Sequence, residues 1–120
     1  MGGQRAATIL VADDDPAIRL LCRVNLELEG YRVIEAGSAA ELDEVLARDE
    51  ISALLLDVRL GDDDGRVVAR RLGEERPELP IAFFTGSVSL DDVRNLVDGV
   101  IPKPFTLEEL SATVRRLAPL

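Results

Sequence analysis

The chain has 120 residues, the usual length of a single domain, and 47% of them are hydrophobic, so it can bury a core without disulfides. Lys and Arg total 14 against 23 Asp and Glu, and the net charge of −9 argues against direct binding to nucleic acid or an anionic membrane. One cysteine and no histidine exclude an internal disulfide, Ser-His or Cys-His catalysis and the usual zinc sites. We therefore expect one cytoplasmic domain over residues 1–120, with cations and basic protein surfaces as its partners.

The first half of the chain alternates wholly apolar runs with stretches of helical periodicity. Asp15 followed by Pro16 predicts the start of a first helix, and Gly30 predicts its end. Ser38 and Glu41 have the spacing of a capping box at the start of a second helix. The predicted strands around these helices cover residues 8–12, 31–36 and 52–56.

The second half continues the same alternation after a Gly- and Asp-rich loop. Asp64 or a neighbour is expected to cap a third helix that stops near Gly73, and at most a short helix is predicted around 91–97. Thr106 and Glu109 form a second capping-box pattern, which begins the last helix. The two remaining predicted strands cover residues 80–84 and 100–101.

Strand followed by helix, five times over and with wholly apolar strands, indicates a parallel sheet covered on both faces. Right-handed crossovers then favour an α/β flavodoxin-like, doubly wound fold with five strands in the order 2-1-3-4-5.

In such a sheet, ligands bind beyond the carboxyl ends of the strands. Polar groups follow four of the five predicted strands, whereas the second ends at Glu35, away from any obvious site. Three carboxylates, one hydroxyl and one ammonium are expected to converge, contributed by Asp13, Asp14, Asp57, Thr85 and Lys103. Carboxylates this close repel one another, and an all-oxygen site suits Mg²⁺ or a relative such as Mn²⁺. A carboxylate beside such an ion is a competent nucleophile for phosphoryl transfer.

Four segments carry a family resemblance: 9–16 (ILVADDDP), 54–57 (LLLD) with Gly65, 83–86 (FFTG) and 103–105 (KPF). In combination and in this order, they resemble the CheY-like receiver domain of bacterial two-component response regulators. The resemblance covers the chain from about residue 8 to residue 117.

The resemblance implies that a sensor histidine kinase or a histidine phosphotransfer protein donates a phosphoryl group to Asp57. It implies that Asp14 and Asp57 ligate magnesium directly, that Asp13 acts mainly through water, and that the backbone carbonyl of Arg59 is a further ligand. A downstream protein target or output domain would read the phosphorylated state. The chain would then be a signalling phospho-acceptor rather than an enzyme acting on a separate substrate.

The resemblance further implies that Thr85 and Lys103 contact the phosphoryl oxygens and that the Lys103–Pro104 peptide is cis. Two departures fall on the face through which the family signals. Val100 stands where the family usually has an aromatic residue that moves with the threonine. The segment from Thr85 to Lys103 is about one helical turn shorter than usual, so the fourth helix is expected to be shortened or absent. In the loop, residues 61–64 (GDDD) favour a solvated turn over additional metal ligands.

Parts of the sequence are compatible with two other functions. Asp13-Asp14-Asp15 contains the Asp-x-Asp of haloacid dehalogenase-type phosphohydrolases, but Pro16 and Ala17 follow where that family has Thr or Val, which argues against it. A phosphorylation-independent docking module of pseudo-receiver type stays as the alternative. The positions of the chain ends lean towards a stand-alone or an N-terminal receiver.

Overall fold

A computed structural model describes residues 6–86 and 94–120 of the chain. Five parallel strands form one sheet in the order β2-β1-β3-β6-β7, with a separate two-stranded hairpin of β4 and β5. The strands are β1 Thr8–Ala12, β2 Arg32–Ala36, β3 Ala53–Asp57, β4 Arg59–Leu60, β5 Asp63–Asp64, β6 Ile81–Thr85 and β7 Gly99–Pro102. The described helices are α1 Pro16–Leu28, α2 Ala39–Arg48, α3 Gly65–Glu75 and α4 Leu107–Leu117. The order of the five sheet strands is the predicted 2-1-3-4-5, so the doubly wound, flavodoxin-like fold is confirmed.

Helices cover both faces of this sheet because its strands are apolar on both sides. On one face α2 and α3 pack on alternate strand residues, among them Leu10, Leu56 and Phe83. On the other face α1 and α4 pack on the intervening residues, among them Ile9 and Phe84. The core is thus built from aliphatic side chains and two buried phenylalanines, and the charged strand ends are left at the edge of the sheet.

The helix starts follow the capping signals. The side chain of Asp15 accepts a hydrogen bond from the Ala17 backbone nitrogen, with Pro16 in the first turn. At α4, Thr106 and Glu109 form both bonds of the predicted capping box. The box predicted at α2 is only half formed, because the Glu41 carboxylate accepts from the Gly37 nitrogen at 2.6 Å rather than from Ser38.

One local prediction needs correction, and a second one holds. The third helix continues through Gly73 to Glu75, because one interior glycine costs only about 1 kcal/mol and the buried Leu72 anchors the last turn. The loop after β3 is a hairpin whose turn begins at Gly61 with a φ of +62°. A positive φ at the first central position is typical of a type II′ turn, so the interpretation of the loop as a turn holds.

The short helix predicted around 91–97 falls partly on residues 87–93, which lie outside the described part of the chain. Within it, Arg94–Leu96 form a single 3-10 turn that leads into β7. Among the described residues, no helix is both long and apolar enough to cross a lipid bilayer.

Candidate functional site

The carboxyl ends of β1 and β3 bring three acidic side chains together. Asp13 and Asp14 directly follow β1 and Asp57 is the last residue of β3, so adjacent parallel strands place them side by side. One carboxylate oxygen of each lies within 4.8 Å of the others. Asp13 is fully buried, Asp57 is half-buried and Asp14 is exposed, so the cluster runs from the protein interior to solvent.

Lys103 lies across this cluster from the end of β7. Its Nζ atom is 2.8 Å from Asp13 Oδ2 and 3.2 Å from Asp57 Oδ2. Its backbone nitrogen donates a hydrogen bond to the Thr85 carbonyl at 2.8 Å, which fixes the end of β7 against the end of β6. The predicted cis peptide between Lys103 and Pro104 is present.

The Asp57 carboxylate is held from two sides. Its Oδ1 atom accepts a hydrogen bond from the Arg59 backbone nitrogen at 3.0 Å, and its Oδ2 atom accepts from Lys103. Asp57, Thr85 and Lys103 line an open cleft of about 640 Å³ together with the hairpin residues. One face of the Asp57 side chain is therefore accessible from solvent, while its orientation is fixed by the protein.

Burial and the neighbouring charged groups have opposing effects on the pKa values of Asp57 and Lys103. Burial, reinforced by the charge of Asp13, raises the pKa of Asp57, and the Arg59 N–H and the Lys103 ammonium oppose that rise. Burial alone would lower the pKa of Lys103, but its hydrogen bonds and ion pairs with Asp13 and Asp57 outweigh burial and raise it. Lys103 therefore stays protonated, and a single ammonium faces three carboxylates.

The chemistry of these donors fits a hard divalent cation. Oxygen ligands with no thiolate or imidazole suit Mg²⁺ and Mn²⁺, and an ion would relieve the repulsion that Lys103 only partly offsets. The hydroxyl of Thr85 is buried and has no hydrogen-bond partner among the described residues. A buried hydroxyl without a hydrogen-bond partner lowers the stability of the fold, unless an oxygen of a ligand in the cleft accepts its hydrogen bond. The site therefore also fits an anion with free oxygens.

The neighbouring loop acids have other partners. Asp64 caps α3 through the Arg66 backbone nitrogen at 2.9 Å, and the Arg66 side chain lowers the pKa of that carboxyl. Asp63 accepts a long hydrogen bond of 3.4 Å from the Ala39 backbone nitrogen. Asp63 and Asp64 therefore have structural contacts, in the hairpin and in the cap of α3.

A family model described as the response regulator receiver domain matches residues 9–115. This chain belongs to that family. Members of the family are signalling phospho-acceptors that take phosphate from histidine kinases and bind Mg²⁺ at an acidic pocket. The resemblance seen in the sequence is therefore confirmed at the level of the family.

Similar proteins agree with this assignment. Response regulator MprA of Mycobacterium leprae is 42% identical over 113 residues, which are 91% of this chain and 50% of that protein. MprA of Mycobacterium tuberculosis strain H37Ra is 41% identical over 113 residues, or 91% of this chain and 49% of that protein. The chain therefore spans about half the length of the curated relatives it matches.

Solved receiver domains have the same fold. A CheY-like receiver domain protein from Methanospirillum hungatei is 28% identical, with a TM-score of 0.86 and 93% of each chain covered. The receiver domain of NtrX from Brucella abortus is 27% identical, with a TM-score of 0.81, covering 91% of this chain and 96% of that one.

In this receiver domain the side chains of Asp13, Asp14, Asp57, Thr85 and Lys103 come together at one site. Arg59, the sixth predicted residue, lines the same cleft, and the roles of all six stay predictions. Sequence reasoning missed a further residue, Arg19 of α1, whose Nη1 atom donates to the Asp13 carbonyl at 2.6 Å. Arg19 also pairs with Glu35. The end of β2 is therefore linked to the site, although the sequence predicts that it lies away from any obvious site. One sequence feature points to this contact. Arg19 lies four residues after the N-cap Asp15, and side chains in a helix point back towards its N-terminus, where Asp13 lies.

The departure at Val100 is also visible in the structure. Val100 is partly buried on β7 and packs on the core face that holds Phe83. A small aliphatic side chain thus occupies the strand position for which the resemblance implies an aromatic residue.

Proposed function

We propose that this domain accepts a phosphoryl group on Asp57 in a Mg²⁺-dependent reaction whose donor is a phosphohistidine. The carrying observation is the Asp57 carboxylate itself, held by the Arg59 N–H and by Lys103 and open to solvent on the cleft side. Fixed orientation and an accessible oxygen are what a nucleophile needs for in-line attack on phosphorus.

The proposed step forms one bond and breaks one. A carboxylate oxygen of Asp57 attacks the phosphorus, a P–O bond forms, and the P–N bond to the donor imidazole breaks. The imidazole leaves with the bonding electron pair and takes a proton from solvent. The Lys103 ammonium and the Thr85 hydroxyl donate to the phosphoryl oxygens, which accounts for a buried hydroxyl that otherwise has no partner among the described residues.

The acidic cluster has a second role in this proposal. The carboxylates of Asp13, Asp14 and Asp57 and the backbone carbonyl of Arg59 would hold the magnesium ion, with Asp13 acting mainly through water. Bound magnesium supplies positive charge that offsets the charge of the phosphoryl oxygens. Before phosphorylation, Lys103 keeps the buried carboxylates partly neutralised.

The proposed partners follow from this chemistry. A sensor histidine kinase or a histidine phosphotransfer protein is the donor, and a downstream protein target or an output domain responds. The net charge of −9 argues against direct contact of this domain with nucleic acid or a membrane, and a cytoplasmic location follows from the donor. The acceptor chemistry is confined to the domain's own phosphorylation and dephosphorylation.

Beryllofluoride, a mimic of the phosphoryl group, tests the proposal in the presence of Mg²⁺. Backbone amide shifts are followed in the wild type, in Asp57→Asn and in the control Asp62→Asn, which removes an exposed acid from the same cleft. Saturable shifts in the wild type and the control, absent from Asp57→Asn, support the acceptor function. Shifts that spread from Thr85 to Val100 indicate a switch, and shifts confined to the cleft indicate an acceptor with a reduced output.

A docking module independent of phosphorylation is the second candidate. It is favoured by Val100 and by the outward face of α1, where four apolar side chains lie in solvent. Their exposed fractions are 57% for Leu20, 41% for Leu21, 48% for Val24 and 81% for Leu28. A folded wild type that shows no Asp57-dependent shift with beryllofluoride and magnesium would contradict the acceptor function and leave this one.

A further inference from the structure

We infer that Arg19, charge-balanced by Glu35, is a positioning residue for the magnesium site, because it fixes the peptide between Asp13 and Asp14. The inference rests on the proposed magnesium binding and adds to it a link from β2 through α1 to the end of β1. Nη1 of Arg19 donates to the Asp13 carbonyl at 2.6 Å, and Nε of the same guanidinium donates to Glu35 Oε1 at 3.0 Å. Both side chains are largely shielded, with 20% of Arg19 and 23% of Glu35 exposed.

With this bond, the polar groups of Asp13 are all engaged. Its backbone nitrogen donates to the Ala36 carbonyl at 3.1 Å, and its carboxylate accepts from the Asp15 nitrogen and from Lys103. Arg19 holds the remaining group, the carbonyl oxygen, and thereby sets the plane of the peptide that leads into Asp14. The residue that follows β1 is therefore fixed from every side.

Asp14 depends on that peptide for its direction. Its side chain is exposed and makes no hydrogen bond to the described residues, so only the backbone aims it at Asp13 and Asp57. A rotation of the preceding peptide would swing this carboxylate away from the cluster. Since outer contacts of this kind orient metal ligands, the Arg19 bond is expected to contribute to magnesium affinity.

Glu35 neutralises the positive charge of Arg19 close to the cation site. A guanidinium beside a cation site repels the ion, but Glu35 pairs with Arg19 through Oε1 and with Arg23 through Oε2 at 2.8 Å. Space for the guanidinium depends on Gly37, where an added Cβ would lie 3.1 Å from Arg19 Nη1. The charge pairing and the available space are thus both compatible with a guanidinium next to the magnesium site.

Arg23 provides the matched control. It lies one turn along α1, pairs with the same carboxylate and donates to the Val33 carbonyl at 3.3 Å, but it has no bond to Asp13. If the arginines only tie α1 to β2, replacing either one lowers stability and leaves magnesium affinity alone. If Arg19 positions the site, only its replacement changes the affinity.

The experiment measures the magnesium dissociation constant by calorimetry for the wild type, Arg19→Met, Arg19→Lys and Arg23→Met, with urea unfolding in EDTA beside it. Arg19→Met is expected to weaken binding about 10-fold, within the range for contacts behind a metal ligand. This sign is informative, because removing a positive charge near a cation would by electrostatics alone strengthen binding. Arg19→Lys is expected to recover part of the loss, and Arg23→Met to bind like the wild type.

Each outcome has a distinct meaning. Unchanged or tighter binding by a folded Arg19→Met, with normal wild-type binding, overturns the positioning role alone. A wild type that binds no magnesium overturns the proposed metal site and the inference with it. If Arg19→Met does not fold, Arg19→Lys decides: it keeps the positive charge, so electrostatics alone predicts an unchanged magnesium affinity, whereas loss of the guanidinium group should weaken binding. An unchanged affinity of the folded Arg19→Lys then contradicts the inference.

Discussion

Gly65 packs directly against the carbonyl oxygen of Asp57, with no space for a side chain between them. An added Cβ would lie far inside van der Waals contact with that oxygen and only 2.8 Å from the Val58 carbonyl oxygen. Both neighbours are backbone atoms at the end of β3, so they cannot rotate away as a flexible side chain would. The start of α3 is thereby fixed against the strand that carries the proposed acceptor.

Gly65→Ala is therefore expected to destabilise the domain by about 1–3 kcal/mol and to weaken beryllofluoride binding, because Asp57 must shift. Urea unfolding and amide shifts measure the two effects. Gly73→Ala is the control: it is an exposed glycine inside α3 with open space around it, and alanine there should stabilise by about 0.5–1 kcal/mol. Equal stability of Gly65→Ala and the wild type would contradict the close packing.

Lys103→Met removes the cation that pairs with the fully buried Asp13 at 2.8 Å. An uncompensated buried carboxylate is expected to lower the free energy of unfolding by about 3 kcal/mol in EDTA. Added magnesium should restore part of that loss, and its stabilising effect should exceed that in the wild type, because Lys103 no longer competes for the carboxylates. Arg48→Met, which removes a surface pair with Asp49, should cost under about 0.5 kcal/mol and show no dependence on magnesium.

Asp14→Asn should have effects of opposite sign on stability and on metal binding. Removing the exposed charge relieves repulsion within the cluster, so the unfolding free energy in EDTA should rise by up to about 1 kcal/mol. The stabilisation by magnesium should largely disappear, because a proposed ligand is lost. Thermal melts with EDTA and with magnesium measure both quantities, and a variant that keeps the wild-type response to magnesium would exclude Asp14 as a ligand.

The sequence predicts this site well because local signals coincide with the edge of the sheet. An apolar run that stops at an acid marks both a buried strand end and a site residue, as at Asp13 and Asp57. Short-range caps such as Asp15 and Thr106 depend on neighbouring residues alone, so they are readable without the fold.

What the sequence misses depends on contacts between distant elements. The bond from Arg19 to Asp13 and its balance by Glu35 require the placement of α1 over β2. The position of Arg19 near the helix start gives the direction of its side chain but not these partners. The continuation of α3 beyond Gly73 likewise depends on the burial of Leu72, because tertiary packing outweighs the weak helix propensity of one glycine.

The cap of α3 gives a pH-dependent prediction. The side chain and backbone N–H of Arg66 lower the pKa of Asp64, so this residue stabilises the fold above its ordinary pKa and loses that effect as the pH falls below about 4. Asp64→Asn keeps a capping oxygen but cannot titrate. The wild type should be more stable than this variant by roughly 0.5 kcal/mol at neutral pH, and the difference should shrink progressively as the pH falls below about 4. Parallel pH profiles of the wild type and Asp64→Asn would contradict the role of Arg66.

The single thiol gives a prediction at the other end of the pH scale. Cys22 lies fully buried on the inner face of α1, and burial, aided by the charge of Asp13, raises its pKa from 9.0 to about 12. Its contribution to stability is complete below pH 9 and is lost as the pH rises towards 12, because only the unfolded chain ionises readily in that window. The loss should be on the order of 4 kcal/mol over the whole window. Urea unfolding of the wild type and of Cys22→Ala between pH 8 and roughly pH 10.5 isolates this effect, since Tyr31 and the other groups are common to both.

In the folded protein, iodoacetamide should modify the thiol only at the rate of unfolding, and rapid alkylation of the native state would show that the thiol is accessible.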